Sequence, residues 1–207
     1  MELTTWLGLL ASALFISISP GPGAIFSISQ GTQYGFKRSL FSLIGLQIGL
    51  MSQIVFLLFG LGVLIDQFPA VFIFIKLLGM FYLILLGILQ WRKKIEQIST
   101  SKVDSQVSFS PFKALMKGFF VNLTNIKGTV FFLALIPLFL DLTALKLSTC
   151  IIFTSTLIVI DLIVMTGYVT LAEISKALLS DPKKILWQNR LTGSTLIMVG
   201  LIMGTTT

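Results

Sequence analysis

The sequence predicts an all-α membrane protein with six transmembrane helices, and three observations carry that prediction. Of the 207 residues, 55% are hydrophobic and only 11% are charged, whereas soluble domains average about 25% charged residues. Apolar runs long enough to cross a bilayer, which takes about 20 residues, recur along the chain. The 15 Lys and Arg residues gather in short clusters between these runs, so the positive charge fits a membrane protein better than a nucleic-acid-binding one.

Six mainly apolar runs follow one another, at about residues 3–36, 39–65, 69–91, 111–140, 147–172 and 191–207. Between the third and the fourth run lies a stretch rich in Ser, Lys and Gln, residues 92–110, which predicts a loop. We therefore expect one transmembrane domain over residues 1–207, whose two halves, 1–91 and 111–207, each contain three helices.

The first and fourth runs are each interrupted by residues that favour a break in the helix. The segment Ser19-Pro20-Gly21-Pro22-Gly23 combines prolines, which remove backbone donors, with glycines, which permit sharp turns. The polar segment from Asn122 to Lys127 lies at the matching place in the second half. Because each half has three helices, the second half enters the membrane from the opposite side. The sequence therefore predicts two inverted three-helix repeats with broken helices 1 and 4.

The basic residues predict which side of the membrane each loop occupies. Twelve of the 15 fall in the first, third and fifth inter-helix regions, which contain two, six and four of them. Cytoplasmic loops carry an excess of Lys and Arg. We therefore expect these loops, including residues 92–110, to be cytoplasmic and both termini to be periplasmic.

The segment Pro20-Gly21-Pro22 is the first candidate binding site. Irregular backbone inside a membrane is tolerated only where it is buried in protein or lines a wet cavity. The freed start of the following helix carries partial positive charge and can bind a carboxylate. The alternative is a simple kink, but two prolines that alternate with two glycines inside an uncharged run favour a binding site.

Amide and amine side chains of the fourth run supply a second group of candidates. Asn122 and Asn125 are three residues apart and share a face of a helix. Amides offer donors and acceptors without net charge, which suits a zwitterion, but they also hold helices together in membranes. Lys127 either reaches the cytoplasmic interface or meets a carboxylate in the cavity.

The second run contains a GxxxG motif, Gly45 and Gly49, which predicts close helix packing. Gln47 and Gln53 lie beside it and are candidates for lining the cavity. Tyr82 in the third run is expected to face lipid.

Asp161, near the middle of the fifth run, is the candidate proton carrier. A carboxylate at that depth is costly when it is charged and unpaired, so it is rare without a role. A low dielectric favours its neutral form, as proton transfer requires. The alternative is an ion pair with Lys127 that holds helices together. Tyr168, seven residues later, shares the helix face of Asp161 and is expected to line the same cavity.

Composition excludes several chemistries. The sequence contains no histidine, which removes Ser-His-Asp catalysis and histidine metal ligands. Its single cysteine, Cys150, cannot form a disulfide within the chain. No GxxxxGK[ST] phosphate-binding loop occurs. We therefore expect no enzyme activity, no cofactor and no bound metal.

These residues resemble the LysE/RhtB family of bacterial amino-acid exporters. The matching segments are Ser19–Gly23, Gly45–Gly49, Gly79–Gly87 and Asn122–Lys127, in that order. Several of them are most similar to the subgroup that exports homoserine and homoserine lactone. Two departures stand out: Ile126 replaces the family's proline, which allows a milder break, and Leu50 lies where many relatives carry aspartate. Because this chain has leucine there, Asp161 becomes the stronger candidate for proton coupling.

The resemblance implies a secondary transporter of the bacterial inner membrane that exports small neutral amino acids by proton antiport. Homoserine and its lactone are the first expected substrates, and threonine and leucine the next. The expected partners are the amino acid, protons and lipid, with a homodimer left open and no nucleic acid. Two other interpretations stay open: a cation or metal exporter of the same superfamily, and an accessory membrane subunit without flux. In the exporter, the carboxylate is assigned to Pro20–Pro22, proton coupling to Asp161, and the other substrate contacts to Gln47, Asn122, Asn125 and Lys127.

Overall fold

The computed structural model describes residues 2–19, 21–92, 109–142, 144–174, 186–187, 190, 193–194, 196–198 and 200–201. For residues 62–66, 69 and 76 it describes the backbone alone. Most of the predicted cytoplasmic loop, residues 93–108, lies outside the described residues, and so does Pro20. The regular elements of the described ranges are α1 (Leu3–Ile18), α2 (Pro22–Gln67), α3 (Pro69–Arg92), α4 (Pro111–Leu123), α5 (Ile126–Phe139) and α6 (Leu147–Ile174). Further helical residues occur between 186 and 201.

Helix α2 is two helices that fold back on each other at Gly35. Gly35 has φ 72° and ψ 175°, a conformation that costs glycine little and other residues much more. The Ser42 hydroxyl donates to the Gln30 side-chain oxygen at 2.8 Å, although twelve residues of straight helix would separate them by about 18 Å. We call residues 22–34 the first arm and residues 36–67 the second arm. The backbone N–H of Phe36, which starts the second arm, donates to Glu173 at 3.1 Å.

Glycines bring the second arm of α2 close to α4. A Cβ atom added to Gly45 would overlap the carbonyl oxygen of Leu115, and one added to Gly49 would overlap that of Phe119. Gly118 of α4 approaches the carbonyl of Ser42 in the same way. The packing role predicted for the GxxxG motif therefore agrees with the structure, since only glycine lets the two backbones approach so closely.

The largest buried core joins α1, the second arm of α2, α5 and α6. Leu9, Ile54, Phe131 and Phe153 are completely buried within it. Large apolar side chains also cover the outside of the helices, as lipid-facing residues do; they include Phe56, Phe59, Phe74 and Ile163. Apolar residues therefore form both the interior core and an outer surface of the kind that lipid covers.

Three of the described helices are long and apolar enough to cross a membrane, or four if the bent pair α4 and α5 counts as one span. One of the three is the segment Pro22–Leu61 of α2, which contains the Gly35 reversal. Helix α1 is apolar but shorter. The all-α membrane fold agrees with the sequence prediction, and the count of six spans stays a prediction.

We predict that Gly45→Ala lowers the thermal stability of the detergent-solubilised protein by several degrees. Overpacking typically costs about 1–3 kcal/mol, and here the added methyl group meets backbone that cannot rotate away. Gly60→Ala is the matched control, because Gly60 lies in the same arm with open space around its Cα. Fluorescence-detected unfolding compares the two variants. Equal stability of both variants would contradict the close packing of α2 on α4.

Candidate functional site

The first run is broken between Ile18 and Pro22. Helix α1 ends at Ile18, and α2 begins at Pro22, where a proline at the first helical position costs no hydrogen bond. The N–H of Ile25 donates to the carbonyl of Gly21 at 3.0 Å, which closes the first turn of α2. Gly21 and Pro22 therefore lie at the start of a half-helix, as the sequence predicts.

The fourth run is broken between α4 and α5, which are bent by 52° relative to each other. The Asn125 side chain caps α5 by accepting from the N–H of Gly128 at 3.3 Å. The Thr124 hydroxyl donates back to the carbonyl of Phe120 at 2.6 Å. Ile126, which takes the place of the family's proline, therefore does not remove the break, because the side chains around it satisfy the free backbone groups.

Lys127 connects the two breaks. Its ammonium donates to the backbone carbonyl of Ser19 at 2.9 Å and to the Ser19 hydroxyl at 2.7 Å. Gly21 lies so close that a Cβ atom there would be 3.0 Å from Nζ of Lys127. Of the two positions that the sequence allows for Lys127, the structure has the one that faces the protein interior.

Asp161 on α6 is bound by neutral donors from α1 and α2. The Ser17 hydroxyl donates to Oδ1 at 3.1 Å, and the Gln47 amide donates to Oδ2 at 2.9 Å. Lys127 directs its hydrogen bonds to Ser19. A direct ion pair between Asp161 and Lys127, the structural alternative for this carboxylate, is therefore absent from the described residues.

Residues of the two half-helix starts line one small cavity of about 40 Å³, together with Lys127 and Asp161. A single water molecule requires about 10–15 Å³ by this measure, so the cavity has room for about three. An amino acid with more heavy atoms than that requires the cavity to open. We call this space the central cavity. Its polar lining residues are Ser17, Ser19, Gln53, Asn122, Asn125, Lys127 and Asp161, and its apolar ones include Leu50, Phe132, Leu157 and Met165.

The remaining predicted site residues contact the cavity or support it. The Asn122 amide donates to the carbonyl of Leu46 at 2.9 Å, and that of Gln53 donates to Thr129 at 2.6 Å; both residues line the cavity. Gln47 lies behind Asp161, and its side-chain oxygen is buried without a hydrogen-bond partner among the described residues. Tyr168 donates to the carbonyl of Ile18 at 2.7 Å and does not line the cavity.

A family model, the LysE type translocator, matches residues 14–207 of this chain. The chain belongs to the LysE family. A homoserine/homoserine lactone efflux protein of Salmonella typhimurium is 36% identical over 98% of this chain and 97% of its own length. A Vibrio cholerae protein described as an uncharacterized membrane protein is 37% identical over 99% of this chain and 98% of its own. A leucine efflux protein of Klebsiella pneumoniae is 31% identical over 67% of this chain and 65% of its own. No solved structure gives a significant match.

In this LysE family member, Leu50 lines the central cavity and is buried. At the position where many relatives are expected to carry aspartate, this chain therefore presents an apolar side chain to the same space as Asp161. Asp161 is the one carboxylate among the described residues that line the cavity.

An open pocket of about 410 Å³ also borders the helix breaks, and we call it the vestibule. No sequence signal pointed to this pocket, and Tyr82, which the sequence predicts to face lipid, is among the residues that line it. Ser17 and Ser19 were also missed as partners of Asp161 and Lys127. A serine within an apolar run carries no signal of its own until the neighbouring helices are known. The vestibule is lined by Ser19, Gly21, Pro22, Ile25, Tyr82, Leu86, Gln90, Thr124, Asn125, Ile126, Lys127 and Leu196.

We predict that Asn125→Ala destabilises the folded protein by about 1 kcal/mol, the usual cost of losing an N-cap. Asn125→Ser retains a capping oxygen without adding charge, so its stability should lie near that of the wild type. Thermal unfolding in detergent measures both variants. If alanine and serine destabilise the protein equally, the side chain of Asn125 is not the cap of α5.

Proposed function

We propose that this LysE family member is a secondary transporter that exports a small neutral amino acid in exchange for protons. The observation that carries the proposal is the central cavity, where two half-helix starts and Lys127 face one carboxylate, Asp161. A zwitterion requires a positive environment for its carboxylate and an acceptor for its ammonium group, and this cavity offers both. The relatives described as homoserine/homoserine lactone and leucine efflux proteins support this substrate class.

In the membrane, we propose six spans arranged as two inverted repeats in the bacterial inner membrane. Helix α1 with the first arm of α2 forms the first span, and the second arm of α2 and α3 form the next two. Helices α4 and α5 form the broken fourth span, α6 the fifth, and the helical residues between 186 and 201 belong to the sixth. The reversal at Gly35 supports this division because it separates a half-helix from a helix of 32 residues, long enough to cross. Both termini then lie in the periplasm.

For the carboxylate of the substrate, we propose the starts of α2 and α5. Residues of each start line the cavity, each start carries partial positive charge, and Lys127 adds a full positive charge. Asn122 and Gln53 line the same cavity and can contact the amino or hydroxyl group. Asn125 and Gln47 act indirectly, because Asn125 caps α5 and Gln47 orients Asp161.

Asp161 is the group that we assign to proton coupling. Its two donors, Ser17 and Gln47, are neutral, so loss of its charge on protonation breaks no ion pair. Moving one charge through 100 mV contributes about 2.3 kcal/mol. At 1.4 kcal/mol for each factor of ten, that supports a substrate gradient of roughly fifty-fold.

Counterflow in proteoliposomes tests the proposed function. Labelled homoserine, threonine and leucine are supplied separately to vesicles loaded with the same unlabelled compound, with and without a pH gradient. We expect counterflow of at least one of them and its acceleration by the gradient. Absence of flux for all three would contradict amino-acid export and favour the accessory-subunit interpretation. Flux of divalent cations in the same vesicles would favour the cation exporter.

We predict that Asp161→Asn abolishes uphill export and retains counterflow. An amide has nearly the shape of the carboxyl group and can still hydrogen-bond Ser17, but it cannot carry a proton. Glu173→Gln is the matched control, because Glu173 is an exposed carboxylate near the end of the same helix, outside the cavity. Vesicles with an imposed pH gradient separate the two activities. Uphill export by Asp161→Asn at the wild-type rate would show that the proton is carried elsewhere.

A further inference from the structure

The central cavity has an apolar side as well as a polar one. Leu50 of the second arm, Phe132 of α5 and Leu157 of α6 line it and are only 5%, 4% and 2% exposed. All three side chains belong to the largest buried core. This part of the lining is therefore hydrocarbon backed by the protein interior, and it offers no hydrogen bond to a solute.

Apolar side chains border Asp161 on two helices. On α6, the lining residues Leu157 and Met165 lie four residues before and four residues after Asp161, which is about one helical turn in each direction. On the second arm, Gln47 donates to Asp161 at 2.9 Å, and Leu50 lies three residues further along the same face. A group that extends from Asp161 past Gln47 along the second arm therefore meets the side chain of Leu50.

The charges of the cavity balance those of a simple zwitterion and no more. Lys127 and Asp161 are the charged side chains among the described residues that line it. Together they can pair with one carboxylate and one ammonium group. The other polar lining residues are serines and amides, which carry no charge that could balance a second ammonium group. An additional unpaired charge in a protein interior is strongly unfavourable.

We infer that Leu50 excludes solutes with a positively charged side chain and so restricts export to amino acids whose side chains are neutral. The inference rests on the proposed function, in which the carboxylate of the solute faces Lys127 and its α-ammonium group faces Asp161. That placement leaves the apolar side of the cavity for the side chain. Homoserine and homoserine lactone both fit there, because the hydroxyl group of the one and the ring ester of the other are neutral.

Leu50 is also the position at which the charge of the cavity can be changed most cleanly. A carboxylate one turn from Asp161 on α6 would repel Asp161 directly, because like charges four residues apart on a helix destabilise each other. Leu50 lies on a different helix, whose backbone is held in place one turn earlier. There the carbonyl of Leu46 accepts a hydrogen bond from the Asn122 amide at 2.9 Å. A substitution of Leu50 by aspartate therefore adds a charge at a defined place.

Two amino acids that differ in the charge of one group test the inference. Homoserine ends in a hydroxyl group, and 2,4-diaminobutyrate has the same carbon chain with an ammonium group in its place. Each is measured by counterflow in proteoliposomes and by thermal unfolding in detergent, since a ligand that binds the folded state stabilises it. The wild type is compared with Leu50→Asp and Leu50→Asn, whose new side chains have nearly the same shape and differ in charge.

We expect the wild type to prefer homoserine over diaminobutyrate by at least about tenfold, because the second ammonium group has no partner. Leu50→Asp supplies that partner and leaves a carboxylate unpaired when homoserine binds, so its preference should reverse in both measurements. Leu50→Asn supplies a neutral acceptor, so it should still prefer homoserine, but less strongly than the wild type does. Stabilisation of Leu50→Asp by diaminobutyrate also verifies that this variant is folded.

Three results would overturn the role of Leu50. The first is equal counterflow and equal binding of the two amino acids by the wild type. The second is an undiminished preference for homoserine in Leu50→Asn, which decides the matter even when Leu50→Asp does not fold. The third is the absence of both binding and counterflow for homoserine. Either of the first two results, combined with normal counterflow of homoserine, leaves the transporter in place. Binding of homoserine without counterflow of any amino acid contradicts the proposed transport, and the binding preferences of the variants still decide the role of Leu50.

Discussion

Two interrupted helices must satisfy their free backbone groups in a medium that offers no water, and the centre of this protein is organised around that requirement. The carbonyl at the end of α1 accepts from Tyr168, and that of Ser19 accepts from Lys127. The start of α5 is capped by Asn125. Lys127 comes from the opposite half of the chain, so its contact with the first break forms only when the fourth break is also formed. The two helix breaks and the cavity that they line therefore depend on each other.

This arrangement leaves both partly buried charges, Asp161 and Lys127, with neutral hydrogen-bond partners. Breaking a buried ion pair by withdrawing one member is strongly unfavourable, because it leaves an uncompensated charge. Asp161 and Lys127 avoid that situation, since each is bound by neutral oxygen or amide groups instead of by the other. A proton or a charged solute can therefore enter without first separating a salt bridge. The neutral donors and acceptors hold the charges in place and still permit exchange.

Much of the fold could be predicted from local sequence signals. Proline and glycine in an uncharged run predicted the break before Pro22, and the GxxxG spacing predicted the approach of α2 to α4, because these residues act through the backbone itself. The reversal at Gly35 was missed, since a single glycine in an apolar helix does not reveal the sign of its φ. An interior position was predicted for Asp161, because a charge within an apolar run is rare enough to be informative, and it was one of the two positions left open for Lys127. Their actual partners, Ser17 and Ser19, depend on tertiary contacts that no local pattern encodes.

The two half-helix starts at the central cavity differ in the side chains that accompany them, and the difference matters for the kind of solute that fits. Each half supplies a half-helix start to the central cavity, at Pro22 and at Ile126. Among the described residues that line the cavity, the charged ones, Lys127 and Asp161, both lie in the second half, and the neutral groups that bind them, Ser17, Ser19 and Gln47, lie in the first half. If the proposed transport moves one half relative to the other, the partners of both charges change at once. A zwitterion, which carries one charge of each sign, can replace those neutral partners at both places, and a simple cation or anion can replace them at only one.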